Sequence, residues 1–196
     1  MRVMVVYAHP LEDSFHAVLH RTVLTALRES GHDVDDCDLY AESFNPVMSA
    51  EERRYYHDET RNRAPVSGYV DRLLAAEALV LCHPIWSAGP PAILKGFYDR
   101  VLIPGVAFTL QDGTVRPALT HIRHLAAVVT YGGPRYIALW QCNPPRRIFS
   151  RYLWSMTGKR ATRTYLAHYR MDVVTPESGR RFVAKVDRRM RRFGNA

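Results

Sequence analysis

A strand-like segment at the start of the chain runs directly into a polar turn whose side chains can hold an anion. The apolar residues 3–7 are followed by His9, Ser14 and His16, and Ser14 opens an amphipathic stretch. The first N–H groups of a helix have no intrahelical acceptor, and serine is a favoured N-cap residue. We therefore predict a phosphate site at this turn, with an ordinary turn carrying incidental histidines as the alternative.

Two later segments carry residue types suited to a flat aromatic ligand. Gly132 and Gly133 follow an apolar run, and a pair of glycines lets the backbone approach a ring closely. Trp86 lies in a loop, residues 84–90, that is rich in proline and glycine, which favours a ligand contact. The alternatives are a plain turn for the glycine pair and a core position for the tryptophan.

Strand-like runs alternate with helical patterns along the chain. The strands are expected at residues 3–7, 34–39, 78–82, 125–130 and 164–169, and the helices include residues 14–28, 70–76 and 91–101, the last with Pro91 at its first position. This alternation predicts a parallel sheet covered by helices, namely a flavodoxin-like three-layer α/β sandwich with strand order 2-1-3-4-5. Ligands of such sheets bind at the carboxyl ends of the strands, where the three candidate segments should meet.

Composition limits the class of protein. The chain has 196 residues and 47% hydrophobic content, which fits a single domain over residues 1–196. No apolar run approaches the roughly 20 residues of a membrane span and no signal-peptide pattern is seen, so we expect a cytoplasmic protein without membrane insertion. The three cysteines, Cys37, Cys82 and Cys142, are widely spaced, which predicts reduced, mostly buried thiols and no metal site.

The net charge of +8 is concentrated in the second half of the chain. Near the C-terminal end of the sequence, paired arginines alternate with the apolar residues Phe182, Val186, Met190 and Phe193. The helical spacing of these apolar residues predicts a helix with one apolar stripe and a charged outer face. A solvated surface helix is the favoured interpretation, with contact to a polyanion or membrane surface as the alternative. A nucleic-acid binder is disfavoured because no recognised module is present.

Four ordered motifs connect the chain to a known family. They are Tyr7-Ala8-His9-Pro10 with Ser14-Phe15-His16, Asp38-Leu39-Tyr40 with Phe44-Asn45-Pro46, residues 91–97 (PAILKGF) with Asp99-Arg100-Val101, and Thr130-Tyr131-Gly132-Gly133. Over about residues 2–133 the chain resembles the flavodoxin-like NAD(P)H:quinone oxidoreductases. Beyond residue 134 only the topology is compatible.

The resemblance implies a flavin site, with FMN as the expected cofactor, FAD as the alternative and NAD(P)H as the hydride donor. The implied cofactor-binding residues are His9, Ser14, Phe15, His16, Pro84, Ile85, Trp86, Ser87, Thr130, Tyr131, Gly132 and Gly133. Three departures from the family pattern stand out: Tyr131 replaces a threonine, His16 replaces an asparagine, and Trp86-Ser87 takes the place of a Gln-Trp pair.

The resemblance further implies two-electron, ping-pong transfer of a hydride through the flavin to a quinone-like acceptor. It also implies a homodimer, for which the long polar segment of residues 43–67 is either a dimer contact or an excursion over the site. No catalytic side chain is assigned, although Tyr136 is the nearest tyrosine after the glycine pair. A flavin-binding regulatory subunit of a potassium efflux system is the alternative function, with the basic C-terminal half available for docking.

Overall fold

The computed structural model describes residues 1–158 and 160–194. In chain order the main elements are β1 (Arg2–Tyr7), α1 (Phe15–Glu29), β2 (Asp33–Asp38), α2 (Ala50–Arg54), α3 (Ser67–Ala75), β3 (Ala78–Ile85), α4 (Ala92–Val101), β4 (Phe108–Gln111), β5 (Thr114–Pro117), β6 (His124–Tyr131), α5 (Arg135–Trp140), α6 (Pro144–Arg147), β7 (Thr162–His168) and α7 (Pro176–Met190). Short 3₁₀ turns at Ala64–Val66 and Met171–Val173 and a π-helical turn at Ile148–Leu153 complete the described elements.

The central sheet has five strands in the order β2-β1-β3-β6-β7, and every neighbouring pair is parallel. With β6 and β7 as the fourth and fifth long strands, this is the predicted order 2-1-3-4-5, and the flavodoxin-like fold is confirmed. The predicted single domain over residues 1–196 stays a prediction, and its residues 159, 195 and 196 lie outside the described residues.

Strand β1 is buried on both faces of the sheet, because its side chains alternate between two cores. Val3 and Val5 pack in the core beneath α1 and α7, whereas Met4 and Val6 pack in the core beneath α3 and α4. A strand covered on both sides reads as a continuous apolar run, which is why its position could be predicted without an alternating pattern.

Strand β3 is longer than predicted and includes two of the predicted cofactor-binding residues. It continues through Pro84 and Ile85, which the sequence placed in a loop. Its pairing with β1 ends at Cys82, whereas its pairing with β6 continues to Ile85. The proline therefore lies where one neighbouring strand has already ended, a position that tolerates its missing N–H.

Helices α1 and α7 lie side by side on one face of the sheet. The Ser14 hydroxyl caps α1 by accepting a hydrogen bond from the Ala17 N–H at 3.1 Å, and Gly31 ends the turn after it at φ +80°. Helix α7 buries the predicted stripe of Phe182, Val186 and Met190 and leaves its charged face exposed.

The segment of residues 43–67 packs on α4 and the turn after it. Arg100 of α4 is buried, pairs with Glu52 at 2.7 Å and donates to the Asn45 carbonyl oxygen. Pro46 lies against Gly96, where a Cβ would come within 2.3 Å of the proline ring. The segment thus packs against α4, and its role as a dimer contact or as an excursion over the site stays a prediction.

Three details differ from the sequence predictions. Pro91 is the N-cap residue of α4, and the helix begins one residue later. The hairpin of β4 and β5 was not predicted, although its turn, Asp112-Gly113, has the left-handed backbone that such turns require. Cys142 is exposed, whereas Cys37 and Cys82 are buried as expected.

Candidate functional site

Three segments at the carboxyl ends of the strands surround one cavity of about 530 Å³, the main cavity. Its lining residues are His9, Ser14, Phe15, His16, Pro84, Ile85, Trp86, Ser87, Thr130, Gly132, Met171 and Asp172. All the predicted cofactor-binding residues are in this set except Tyr131 and Gly133. The parallel sheet explains the convergence, because β1, β3 and β6 are neighbours and their carboxyl ends share one edge.

The beginning of α1 faces the main cavity with Ser14, Phe15 and His16. The Ser14 hydroxyl donates to the Leu11 carbonyl oxygen at 2.8 Å while it caps the helix, so its hydrogen is already used. The N–H groups of the first helical turn have no intrahelical acceptor. Backbone N–H groups at the helix start therefore remain as donors for an anion, as the sequence also predicts.

His16 is buried beside Thr130, and its Nδ1 lies 3.4 Å from the Thr130 hydroxyl oxygen. Burial, followed by the neighbouring histidines, holds the pKa of the His16 ring well below its usual range. The ring is therefore neutral near pH 7, and its titration lies below the neutral range. Its Nε2 is buried without a hydrogen-bond partner among the described residues, which leaves one polar atom beside the main cavity for a ligand.

The loop after β3 forms a tight two-residue turn at the mouth of the main cavity. Trp86 and Gly89 exchange both backbone hydrogen bonds, at 3.0 and 2.9 Å, around Ser87 and Ala88. Both central residues have left-handed backbones, with φ of +48° and +58°, a strained conformation for side chains of this kind. Trp86 is 43% exposed, which rules out a core position for it.

The glycine pair lies between the main cavity and a smaller one. Neither glycine has a positive φ among the described residues, so the backbone conformation does not require glycine here. A Cβ on Gly132 would lie 3.0 Å from the Asp172 carboxylate, whereas a Cβ on Gly133 would meet nothing within 4 Å. Gly133 therefore leaves open space in the smaller cavity that a side chain at this position would fill.

A side cavity of about 200 Å³ adjoins the main cavity and shares Ile85 and Gly132 with it. Its other lining residues are Ala88, Tyr131, Gly133, Pro134, Ile137, Ala138, Gln141, Asn143, Pro144 and Pro145. The two predicted residues that are absent from the main cavity, Tyr131 and Gly133, are thus placed next to it.

Sequence reasoning missed the contributions of the last third of the chain. Met171 and Asp172 line the main cavity from the loop after β7, and Asn143 lines the side cavity. The available signal was topological, because the loop after a fifth parallel strand must reach the same sheet edge as the others.

Tyr136, His124 and His168 do not line either cavity. Tyr136 is 69% exposed on α5 and lines neither cavity. His124 pairs with the Thr162 hydroxyl at 2.8 Å, and His168 packs edge-on against Phe182. These contacts give both histidines a structural role.

Two searches of the described residues bear on the kind of site. Within residues 1–158 and 160–194, no three His, Cys, Asp or Glu side chains are grouped as metal ligands. In the same part of the chain, no helix combines the length and apolar character needed to cross a bilayer.

Comparison with known proteins identifies the class. A family model described as the flavodoxin-like fold matches residues 1–158. The chain belongs to this family, and the resemblance to its NAD(P)H:quinone oxidoreductases is confirmed by the relatives that follow.

The chain is 31% identical to NAD(P)H dehydrogenase (quinone) 1 of Rattus norvegicus over 147 residues, covering 67% of this chain and 54% of that protein. It is 34% identical to an uncharacterized NAD(P)H oxidoreductase of Escherichia coli strain K12 over 128 residues, covering 65% and 64%. The matches therefore span between about half and two thirds of these relatives.

Solved structures agree with the fold over almost the whole chain. Smu.1420 from Streptococcus mutans UA159 superposes with a TM-score of 0.88 at 26% identity, covering 97% of this chain and 99% of that one. An NAD(P)H:quinone oxidoreductase from Methanothermobacter marburgensis gives a TM-score of 0.80 at 21% identity, covering 97% and 98%, a likeness of fold alone.

Proposed function

We propose that this chain is a flavin-dependent oxidoreductase that binds FMN in the main cavity and transfers a hydride from NAD(P)H to a quinone. The observation that carries the proposal is the convergence of residues 14–16, residues 84–87, Thr130 and Gly132 on that one cavity. Relatives support it by name, including an FMN-dependent NADH:quinone oxidoreductase 2 of Hahella chejuensis at 28% identity. FAD remains the alternative cofactor.

The start of α1 is the proposed phosphate site. Its free N–H groups and the positive end of the helix dipole favour an anion, and the 15-residue helix supplies a full dipole. The unpartnered Nε2 of His16 is buried beside this position and can donate or accept according to its tautomer. These residues fit a phosphate group, and Asp172 fits the hydroxyls of a sugar-like chain as an acceptor.

The ring is proposed to lie between the Trp86 turn and the glycine pair. Backbone N–H groups at Gly132 and Gly133 can approach the edge of a flat ring where negative charge develops, because no side chain intervenes. A bound flavin would supply the redox chemistry, namely the capacity to take up a hydride and later release it. The protein groups named here position the reactants for hydride transfer.

One cleft is proposed to serve the donor and the acceptor in turn. The main and side cavities share Ile85 and Gly132, so they form one continuous space at the sheet edge. A reductant and an oxidant that use the same face must bind alternately, which gives ping-pong kinetics.

A homodimer is proposed as the assembly that closes this cleft. Helix α5 exposes Tyr136, Leu139 and Trp140, which are 69%, 55% and 80% exposed, beside the side cavity. Large apolar side chains grouped in this way mark an interaction surface. Light scattering should give twice the chain mass, and Trp140→Asp should shift the assembly to monomers; a monomeric wild-type chain would contradict this.

The function is tested by identifying the cofactor and following both half-reactions. Released cofactor should have the mass of FMN, anaerobic NAD(P)H should bleach the bound flavin, and a naphthoquinone added afterwards should restore it. Double-reciprocal plots against both substrates should be parallel. Intersecting lines would reject the shared cleft, and bound flavin that NAD(P)H does not reduce would favour the regulatory alternative.

A further inference from the structure

A buried chain of hydrogen-bonding side chains lies behind the side cavity. The Tyr131 hydroxyl donates to Asn143 Oδ1 at 2.7 Å, and the Tyr165 hydroxyl lies 2.6 Å from the Tyr131 hydroxyl. A hydroxyl has one hydrogen, so when Tyr131 donates to Asn143, Tyr165 must donate to Tyr131. The chain therefore runs in one direction, from Tyr165 through Tyr131 to Asn143.

Packing and protonation keep this chain in place. The Tyr131 ring is buried and stacks on Tyr169 with centroids 4.7 Å apart. Burial raises the pKa of Tyr131 to about 12 and raises the pKa of Tyr165 as well. Both hydroxyls therefore keep their hydrogens at neutral pH and remain donors.

The amide of Asn143 is oriented by the bond it accepts. Since Oδ1 faces the Tyr131 hydroxyl, the Nδ2 hydrogens point elsewhere, and Nδ2 has no hydrogen-bond acceptor within the part of the chain that the structure describes. Asn143 is only 6% exposed and lines the side cavity. Among the described residues, Nδ2 is not one of the fully buried polar atoms that lack a partner, so it is reachable from the side cavity and can donate to a ligand there.

The backbone around Asn143 is also unusual. Cys142 and Asn143 both have left-handed backbones, with φ of +60° and +47°, immediately before Pro144 starts α6. Strained residues of this kind cluster at ligand sites. Asparagine tolerates this conformation better than most residues, so the position combines backbone tolerance with an amide donor.

We infer that Tyr165 and Tyr131 are positioning residues which present the Asn143 amide N–H to a ring carbonyl of the electron acceptor in the side cavity. This inference rests on the proposed function. It assigns the acceptor class as flat, mainly apolar rings with a carbonyl oxygen at the edge, such as quinones.

The lining of the side cavity supports a quinone over the other carbonyl-bearing partners. Apart from Asn143 and Gln141, its side chains are apolar or aromatic, and none of the arginines and lysines in the described part of the chain lines it to receive the phosphates of a nucleotide. Its volume of about 200 Å³ suits a small ring rather than a whole dinucleotide. The nicotinamide carboxamide and the flavin carbonyls are the alternatives that the experiment separates.

The test replaces the donor without changing its shape. Asn143→Asp keeps an oxygen that accepts from Tyr131 and replaces the N–H donor by a second oxygen. Binding of 1,4-naphthoquinone to the oxidised, FMN-loaded protein, measured by calorimetry, should weaken about ten-fold, which corresponds to about 1.4 kcal/mol. The kcat/KM for this quinone should fall more than that for ferricyanide, an anion without a ring carbonyl that responds only to the added carboxylate charge; an equal fall would assign the loss to charge and overturn the inference. Asn143→Gly, which also accepts the left-handed backbone, provides a second variant if the first does not fold.

The role of the tyrosine hydroxyls is tested by the preference for the quinone over ferricyanide, and not by the stability of the fold. Tyr131→Phe should weaken naphthoquinone binding several-fold, because the amide is then free to turn over, and should lower the ratio of quinone to ferricyanide activity. Tyr169→Phe is the matched control, since Tyr169 stacks on Tyr131 without taking part in the chain. An equal loss in both variants would mean that the hydroxyl chain has no positioning role.

The remaining outcomes distinguish this inference from the proposed function. FMN affinity should be unchanged in Asn143→Asp, and anaerobic flavin reduction by NAD(P)H, which uses the same cleft, should slow less than naphthoquinone binding weakens. A loss of FMN affinity would put the amide on the cofactor, and reduction by NAD(P)H that slows as much as or more than quinone binding weakens would put it on the nicotinamide; either result overturns the inference. Unchanged naphthoquinone binding also overturns it, whereas a wild-type chain without FMN refutes the proposed function itself.

Discussion

At the scale of single residues, Ser14 has a structural role at the start of α1, beside the proposed phosphate site. Its hydroxyl caps α1 and bonds to the Leu11 carbonyl oxygen at the edge of the main cavity. Ser14→Ala should lower the free energy of unfolding by about 1 kcal/mol through loss of the cap. It should also weaken FMN binding by roughly ten-fold, because the helix start that holds the phosphate loosens.

A cap of another helix separates these two effects. Thr175 caps α7 by accepting from the Ser178 N–H at 3.2 Å, and it does not line the main cavity. Thr175→Ala should therefore show a similar loss in urea unfolding with normal FMN affinity by fluorescence titration. Equal FMN affinities in the two variants would remove Ser14 from the phosphate site.

His83 makes stability depend on pH. It is buried in β3, and burial lowers its pKa to about 4, below the ordinary value of 6.5. The unfolded chain therefore binds the proton more readily, so stability falls as the pH drops from about 6.5 toward 4, by up to about 1.4 kcal/mol per pH unit. Urea unfolding at pH 7.5 and 5.5 should differ less in His83→Gln than in the wild type. The exposed His57→Gln provides the control, and an unchanged pH dependence in the His83 variant would contradict this role.

At the scale of elements, Gly96 determines how residues 43–67 dock on α4. A Cβ at Gly96 would come within 2.4 Å of the Pro46 backbone, so one of the two elements must move. Gly96→Ala should lower the free energy of unfolding by about 1–3 kcal/mol and speed tryptic cleavage at Arg53 and Arg54. Gly68→Ala in α3, where a Cβ meets nothing within 4 Å, should instead be neutral or stabilising. Slow cleavage in both variants would show that the contact with Pro46 is not required.

The elements also show what the sequence could and could not predict. Strand β1 and helix α1 were predictable because a buried apolar run, a serine cap and a glycine stop act locally. The packing of residues 43–67 on α4 was not, because it depends on Gly96 and Arg100, which are distant in sequence. The Asp112-Gly113 hairpin carried a local signal, a left-handed turn pair, that the sequence analysis did not use.

The candidate site divides in the same way. Residues from the first two thirds of the chain were predicted because parallel strands bring their carboxyl ends together. Asp172 and Asn143 were not, because their loops contain no recognisable pattern and only the sheet order places them.

At the scale of the whole molecule, the site lies at the sheet edge where the chain order reverses between β1 and β3. The basic residues of α7 lie on its outer face, over a buried apolar stripe. The charge of the second half is therefore available at the surface without lining the main cavity, and docking of this face on a membrane partner stays a prediction of the regulatory alternative.

The central claim, that FMN occupies the space beside the glycine pair, is tested most directly by titrating purified chain with FMN and following fluorescence quenching. Gly132→Val is the decisive variant, because Gly132 lines the main cavity and a Cβ there meets only the end of the Asp172 side chain, at 3.0 Å, which can move aside. The account predicts saturable binding of a single FMN per wild-type chain and a loss of at least about ten-fold in affinity in Gly132→Val, with a melting temperature of the unliganded protein close to that of the wild type. No FMN binding by the wild type, or equal affinity in a folded Gly132→Val protein, would contradict it.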